Sequence, residues 1–144
     1  MKARFLLMAL GLILCMGACT KNTGSETVEW LEVNNNNISG KWELVEWNGR
    51  QLEEGSYFQI ELVRNDETFT IWQNMDSFQD IAHEITGRYS LSTDPAKGSI
   101  IEGIYDHDAD FWNHSYIIRD LTKDSMLWIA TDDEEFTQLF SRID

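Results

Sequence analysis

The chain has 144 residues, a formal net charge of −14 and 42% hydrophobic residues. This length suffices for one domain with one hydrophobic core. The excess of acidic residues argues against nucleic acid as a partner, and against close contact with anionic lipid headgroups.

Residues 1–18 have the three parts of a secretory signal peptide. A short basic stretch at residues 1–4 precedes an apolar run from Phe5 to Met16, and the small residues Gly17 and Ala18 follow. The run is shorter than the roughly 20 apolar residues that a transmembrane helix needs. We therefore predict an exported protein from which this segment is cleaved.

The sequence Met16-Gly17-Ala18-Cys19 resembles the lipobox of bacterial lipoproteins. The resemblance implies that Cys19 carries a diacylglycerol anchor, and it places the protein in the cell envelope at the outer membrane, on the periplasmic or the surface face. Cys15 fits less well because bulky residues precede it. Plain secretion, with Cys19 as a free thiol, is the alternative. Cleavage would lower the net charge to −16 and leave no second cysteine for a disulfide.

Residues 19–39 form a predicted lipid-anchored tether, which ends in the polar run Asn34–Asn37. Four apolar residues within it could dock on the following domain: Val28, Trp30, Leu31 and Val33.

From Gly40 onward the hydrophobic pattern repeats every two residues, which is typical of strands. The pattern predicts eight strands with short links, and hence an all-β, eight-stranded antiparallel up-and-down barrel over residues 40–144, with a two-sheet sandwich as the alternative. The predicted strands are Lys41–Trp47, Tyr57–Val63, Thr68–Gln73, Glu84–Ser92, Ser99–Tyr105, Ser115–Leu121, Met126–Thr131 and Phe136–Ile143.

Two of the three long connections between the strands have a distinctive pattern. Residues Asn74–Ala82 place Met75, Phe78 and Ile81 at helical spacing, which predicts one short helix. Residues Asp106–His114 form a polar loop that contains the aromatic pair Phe111-Trp112.

Gly40-Lys41-Trp42 at the start of the first strand resembles the Gly-x-Trp signature of the lipocalins, and Arg142 stands on the last strand where that family places an arginine. With the segment Tyr116–Trp128, these residues resemble the lipocalin-like domain of Bacteroidetes lipoproteins. The resemblance implies a barrel that binds small apolar molecules. In an antiparallel barrel Trp42 and Arg142 meet at the same end, so we predict that the guanidinium stacks on the indole at the barrel base.

The alternation also predicts the barrel interior. An eight-stranded barrel is only just wide enough for side chains to fill it, or to hold one small ligand, so a ligand cavity and a filled interior both stay open. The predicted inward residues are Leu44, Phe58, Ile60, Leu62, Phe69, Ile71, Tyr89, Leu91, Tyr116, Ile118, Trp128, Phe136 and Phe140. Trp30, Trp47, Trp72 and Trp112 are out of phase with this set or lie in loops.

The longer links fall at the end of the barrel opposite Trp42, and they are rich in acidic residues. We predict an open acidic mouth that faces away from the membrane and attracts cations or a cationic partner, with Phe111 or Trp112 as an apolar anchor. Asp106, Asp108 and Asp110 are the weak candidates for a metal site. The alternative is that the acids serve solubility. The rim residues are Glu53, Glu54, Asp76, Asp80, Asp106, Asp108, Asp110, Asp132, Asp133, Glu134 and Glu135.

Three function classes remain, and the sequence predicts neither a cofactor nor a nucleic-acid partner. The first is a monomeric module that binds a small molecule. The second is an interaction subunit of a cell-envelope complex of the glycan-uptake type, with a filled barrel. An enzyme is the least favoured: Glu46 and Glu102 could form an inward carboxylate pair, but no nucleophile with a base is evident.

Overall fold

The computed structural model describes residues 27–75 and 84–144. The predicted signal peptide, Cys19 and residues 76–82 of the helix predicted over Asn74–Ala82 lie outside the described residues. No helix among the described residues is long and apolar enough to cross a membrane.

The described residues form one short helix and nine strands, most of them close to the predicted bounds. The fourth predicted strand extends two residues further, to Asp94, and the last begins earlier, at Asp133. The elements are α1 (Asn35–Ile38), β1 (Gly40–Trp47), β2 (Arg50–Gln51), β3 (Phe58–Val63), β4 (Thr68–Gln73), β5 (Glu84–Asp94), β6 (Gly98–Tyr105), β7 (Tyr116–Arg119), β8 (Ser125–Ala130) and β9 (Asp133–Arg142).

The strands pair in chain order, and the sheet closes on itself. Each strand from β3 to β9 lies antiparallel to the next, and β1 pairs with both β3 and β9. The two-residue strand β2 extends only the end of β1. The predicted all-β, eight-stranded up-and-down barrel is therefore confirmed.

Because the strands are antiparallel, the links between them lie alternately at the two ends of the barrel. Three tight turns lie at the end where β1 begins, which we call the base: residues 64–67, 95–97 and 120–124. The opposite end, the mouth, receives residues 48–57, residues 74–75 after β4, and residues 106–115 and 131–132.

The inward faces of the strands form one hydrophobic core. All thirteen residues predicted to point inward are buried or pack against that core. Two glycines make room for aromatic rings: a Cβ at Gly87 would lie 2.4 Å from the Phe69 ring, and one at Gly103 would lie 2.0 Å from the Trp112 ring.

A β-bulge in β1 changes the phase of the first strand. Leu44 pairs with the buried Phe140, but the register shifts before Glu46, which pairs with Leu139, so that Trp47 faces Gln138. Because an extra residue in one strand moves the following side chains to the opposite face, Trp47 turns toward the interior of the mouth and Glu46 turns away from it. The phase predicted for these two residues was wrong for this reason.

The last part of the predicted tether folds onto the base. The Leu31 N–H donates to the Leu121 carbonyl over 2.8 Å, and Leu31 and Val33 pack against the core. Helix α1 is capped by the Asn34 side chain, which accepts from the Asn37 N–H over 2.8 Å. Ile38 at its end is fully buried, so this segment closes the barrel below Trp42.

Candidate functional site

The base of the barrel is sealed by Arg142. Its guanidinium carbon lies 4.1 Å from the centroid of the fully buried Trp42 ring. Nη1 donates to the Ser39 carbonyl over 2.6 Å and Nη2 to the Asn37 carbonyl over 2.9 Å, which satisfies acceptors at the end of α1. Nε donates to the Lys123 carbonyl over 2.6 Å. Arg142 therefore ties α1 and the turn before β8 to the first strand.

The middle of the barrel is filled by aromatic rings. Trp128 packs against Phe140 with centroids 4.7 Å apart, and Trp112 stacks on Trp128 at 5.8 Å. Trp112 also contacts Phe69 at 5.0 Å, so rings from four segments meet across the interior. These ring contacts fill the middle of the barrel with described side chains.

The position of Trp112 corrects the prediction that it anchors a partner at the rim. The loop of residues 106–115 folds back into the barrel, where the missing side chain of Gly103 leaves space for the indole. Trp112 is consequently buried, whereas its neighbour Phe111 is 56% exposed. The Trp112 Nε1 has no hydrogen-bond partner among the described residues.

The mouth holds a cavity of about 220 Å³ above these rings, which we call the mouth pocket. Its wall combines apolar and aromatic side chains with three amides, and no charged side chain is among the described residues that line it. The lining residues are Leu44, Trp47, Phe58, Ile71, Gln73, Met75, Ile85, Tyr105, Asn113 and Gln138.

Strand register explains why amides and aromatic rings share this wall. Gln73 ends β4 opposite Phe58, and Gln138 on β9 lies opposite Trp47. Both side chains point to the inside of the barrel, but they lie closer to solvent than the apolar core residues of the same strands. Side chains with a polar end are tolerated there. Gln73 is itself buried, and its Oε1 accepts from the Met75 N–H over 2.9 Å.

A wider cavity of about 630 Å³ lies on the other side of Trp47. Trp47 and Met75 line both cavities, so the indole stands at the boundary between them. The wider cavity is more polar, and Arg50 and Glu53 are the charged residues of its described wall. Trp47 is 37% exposed, which leaves part of its ring open to a bound molecule.

The structure does not assemble the three aspartates that were weak candidates for a metal site. The Asp106 carboxylate accepts from the Thr86 hydroxyl over 2.8 Å, and Asp108 accepts from the Asp110 N–H over 2.9 Å, so these side chains stabilise their own loop. No group of three acidic, histidine or cysteine side chains able to hold a metal occurs within residues 27–75 and 84–144.

None of the acidic residues that the structure describes at the mouth lines the mouth pocket. Those of the described links and of the start of β9 are exposed, and Asp76 and Asp80 lie outside the described residues. Glu102 is exposed on the outer face of β6, so it does not form the inward carboxylate pair with Glu46 that the sequence left open.

A polar contact beside the aromatic rings fixes one side of the mouth. Nδ1 of His114 lies 2.8 Å from Oδ1 of Asp132, and since the carboxylate can only accept, the ring nitrogen donates. This hydrogen bond lowers the pKa of Asp132. The His114 ring packs on Phe136 at 4.6 Å. Burial raises the pKa of the neighbouring Tyr116, so its hydroxyl stays protonated at neutral pH.

The strand pattern of the sequence predicts the interior of the barrel and its base, but it does not predict several residues of the mouth pocket. Trp47, Gln73, Asn113 and Gln138 were not among the predicted site residues. The alternation of β4 and β9 places Gln73 and Gln138 in phase with Ile71 and Phe140, and this signal could have identified both.

Neither protein-family models nor curated protein sequences give a match to this chain.

Proposed function

We propose that this protein is a lipid-anchored module of the cell envelope that binds a small uncharged molecule at the mouth of its barrel. The observation that carries the proposal is the mouth pocket, whose described lining residues are aromatic, apolar and amide side chains without a charged group, above the aromatic rings that fill the interior. Binding sites for small molecules are mostly apolar concavities in which a few polar groups fix the orientation of the ligand.

The size of the mouth pocket restricts the ligand. Its volume of about 220 Å³ lies below the roughly 300–1,000 Å³ typical of drug-sized ligands, so it suits one ring or a short chain. A larger molecule would pass Trp47 and extend into the wider cavity beside it. A ring presented to Trp47 or Phe58 would stack, while the amides of Gln138 and Asn113 would supply hydrogen bonds at its edge.

The charge around the mouth pocket restricts the ligand further. Exposed carboxylates ring the mouth, and the described wall offers no cation to an anionic group. The negative electrostatic potential of such a rim repels fatty acids and other anions. A bound charged group would also lose its hydration without gaining a partner of opposite sign.

The experiment compares matched neutral and anionic ring compounds, such as benzamide with benzoate and a hexose with its uronic acid, by their effect on melting temperature. A ligand that binds only the folded state raises the melting temperature as its concentration exceeds its dissociation constant. We expect neutral members to raise it and anionic members to have no effect. Equal shifts for both members of a pair, or no shift for any neutral ring compound, would contradict the proposal.

Two variants test whether the ligand occupies the mouth pocket. Trp47→Ala and Gln138→Leu should abolish the ligand-induced shift. Trp30→Ala removes an exposed indole at the base and should leave the shift unchanged. Loss of binding in Trp30→Ala alone would place the site elsewhere.

A second candidate function, an interaction subunit of an envelope complex, is favoured by an exposed apolar patch on the outside of the barrel. Phe111 is 56% exposed and Ile104 is 39% exposed, and the two are joined by an antiparallel bridge between the loop and β6. Phe111→Ser should then abolish co-purification of a partner from the native envelope without changing the melting temperature. Unchanged co-purification would contradict this function.

The anchor is tested separately from the ligand. Cys19→Ala should release the protein into the soluble fraction, because each buried CH₂ of an acyl chain contributes about 0.8 kcal/mol to membrane affinity. A variant that still fractionates with membranes would contradict lipid attachment at Cys19.

A further inference from the structure

The base of the barrel exposes an apolar ridge formed by Val28 and Trp30. Their side chains are 56% and 62% exposed, which makes Trp30 the most exposed of the large apolar residues described. The backbone between them and the domain is held in place, because the Leu31 N–H donates to the Leu121 carbonyl and Leu31 packs on the core. The ridge is therefore a fixed feature of the base.

A third exposed apolar side chain lies at the same end of the barrel. Ile143 is 42% exposed, and its N–H donates to the Lys41 carbonyl over 2.9 Å at the start of β1. The base also mixes charges of both signs, whereas the described part of the mouth is almost wholly acidic. The exposed Glu29 and Glu32 lie on the ridge segment, and the base turns carry cations as well as acids. The base turns carry Arg64, Asp66, Glu67, Lys97, Asp120, Lys123 and Asp124.

We propose that the base of the barrel docks on a zwitterionic lipid bilayer, with the Trp30 indole inserted at the headgroup level. This inference rests on the proposed attachment of lipid to Cys19. From Cys19 to Thr27 the chain spans eight residues, so even when fully extended it keeps the ridge within about 28 Å of the anchor.

Tethering makes a weak contact effective. An indole has a large apolar body and one polar N–H, and tryptophan is accordingly enriched where membrane meets water. One indole with Val28 beside it would not hold a free protein on a bilayer. Once the anchor confines the base near the surface, insertion becomes an intramolecular step with a high effective concentration.

The charge distribution selects which end approaches the bilayer. Phe111 at the mouth end is as exposed as Val28, but the loop of residues 106–110 that precedes it carries three aspartates and no lysine or arginine. At the ridge, Glu29 shares a surface cavity with Lys123. Bringing that end to a membrane would dehydrate these carboxylates and oppose any anionic lipid present. Docking by the base therefore directs the mouth pocket away from the membrane, toward its ligand.

The test places a photo-crosslinking residue, p-benzoylphenylalanine, at position 30 or at position 111 of the chain that begins at Cys19. Cys19 is the single cysteine of this chain and can be coupled to a maleimide phospholipid in phosphatidylcholine vesicles. Illumination should give several-fold more lipid adduct at position 30 than at position 111. Similar yields at both positions, or more adduct at position 111, would overturn the proposal.

Chemical coupling keeps this test independent of lipid attachment in the cell. If Cys19→Ala remains membrane-bound in cells, the proposed natural anchor fails, whereas the crosslinking result still decides whether a tethered base docks. A second measurement uses Trp30→Ser, which should leave the melting temperature unchanged. It should also increase the mobility of a spin label placed at Val28 on vesicles; unchanged mobility would contradict docking through the indole.

Discussion

The two ends of this barrel use aromatic residues in different ways. At the base, Trp42 is fully buried under Ile38 and Arg142, and the guanidinium nitrogens are hydrogen-bonded to backbone carbonyls. At the mouth, Trp47 is partly exposed beside a cavity of about 220 Å³ and faces an amide side chain. The comparison indicates that the base stabilises the fold, while the mouth is where we propose that a ligand binds, so substitutions at the two ends should separate stability from binding.

The largest expected effect is the loss of the base indole. Trp42→Ala should lower the free energy of unfolding by about 3–5 kcal/mol, since it removes a fully buried ring and leaves a cavity. Trp47→Ala at the mouth should cost much less, because part of that ring already contacts solvent. Urea denaturation measures the free energy of unfolding of both variants. Equal decreases for Trp42→Ala and Trp47→Ala would contradict the proposed difference between base and mouth.

Removal of the base guanidinium should have the next largest effect. Arg142→Ala should lower the free energy of unfolding by about 2 kcal/mol, because three backbone acceptors lose their donor and the Trp42 ring loses its cation–π contact. Arg142→Lys should recover little of this, since an ammonium cannot reproduce the planar fork. Arg119→Ala is the matched control on the surface and should change stability only slightly. A fully stable Arg142→Lys variant would contradict this account of the base.

The aromatic filling between the two ends depends on Gly103. Gly103→Ala should cost about 1–3 kcal/mol, because the new methyl group overlaps the Trp112 ring. In a Trp112→Phe background the same change should cost less, since the smaller ring can withdraw. Purely additive effects of the two substitutions would show that Gly103 and Trp112 do not share this space.

The barrel and its inward faces could be predicted because they follow from local pattern. In β5, for example, the buried Tyr89 lies between exposed residues, as a period of two requires. The turns at residues 64–67 and 95–97 are so short that the strands on either side of each turn must pair antiparallel. Trp42 and Arg142 could be placed together for the same reason, since β1 and β9 must meet when the barrel closes. Each of these inferences requires only strand periodicity and strand order.

The mouth pocket could not be predicted to the same extent, because its residues are placed by irregular backbone. The bulge before Glu46 reverses the phase of Trp47, and the sequence Glu43–Trp47 gives no sign of an extra residue. Trp112 enters the interior from a polar loop, and only the long-range match with Gly103 makes this possible. Such irregular backbone depends on contacts between residues that are far apart in the sequence. The hydrophobic periodicity of a single strand contains no information about these contacts.

The smallest effect concerns the hydrogen bond at the rim of the mouth. It lowers the pKa of Asp132, so its contribution to stability is present above the ordinary carboxyl pKa and is lost as the pH falls through the lowered value. His114→Phe keeps a ring against Phe136 but removes the donor, so it should raise the pKa of Asp132. Asp94 is the control, since its pKa is lowered by backbone N–H groups of the turn at residues 95–97. NMR titration of both carboxyls measures this, and an unchanged Asp132 would contradict the assignment.

The most direct test of the division between base and mouth follows the six indole N–H signals of the protein by NMR while a neutral ring compound such as benzamide is added. The account predicts a saturable shift of the Trp47 signal, with Trp42 and Trp30 unmoved. A shift of Trp42 or Trp30 with Trp47 unchanged, or no saturable shift of any indole across the neutral compounds, would contradict it.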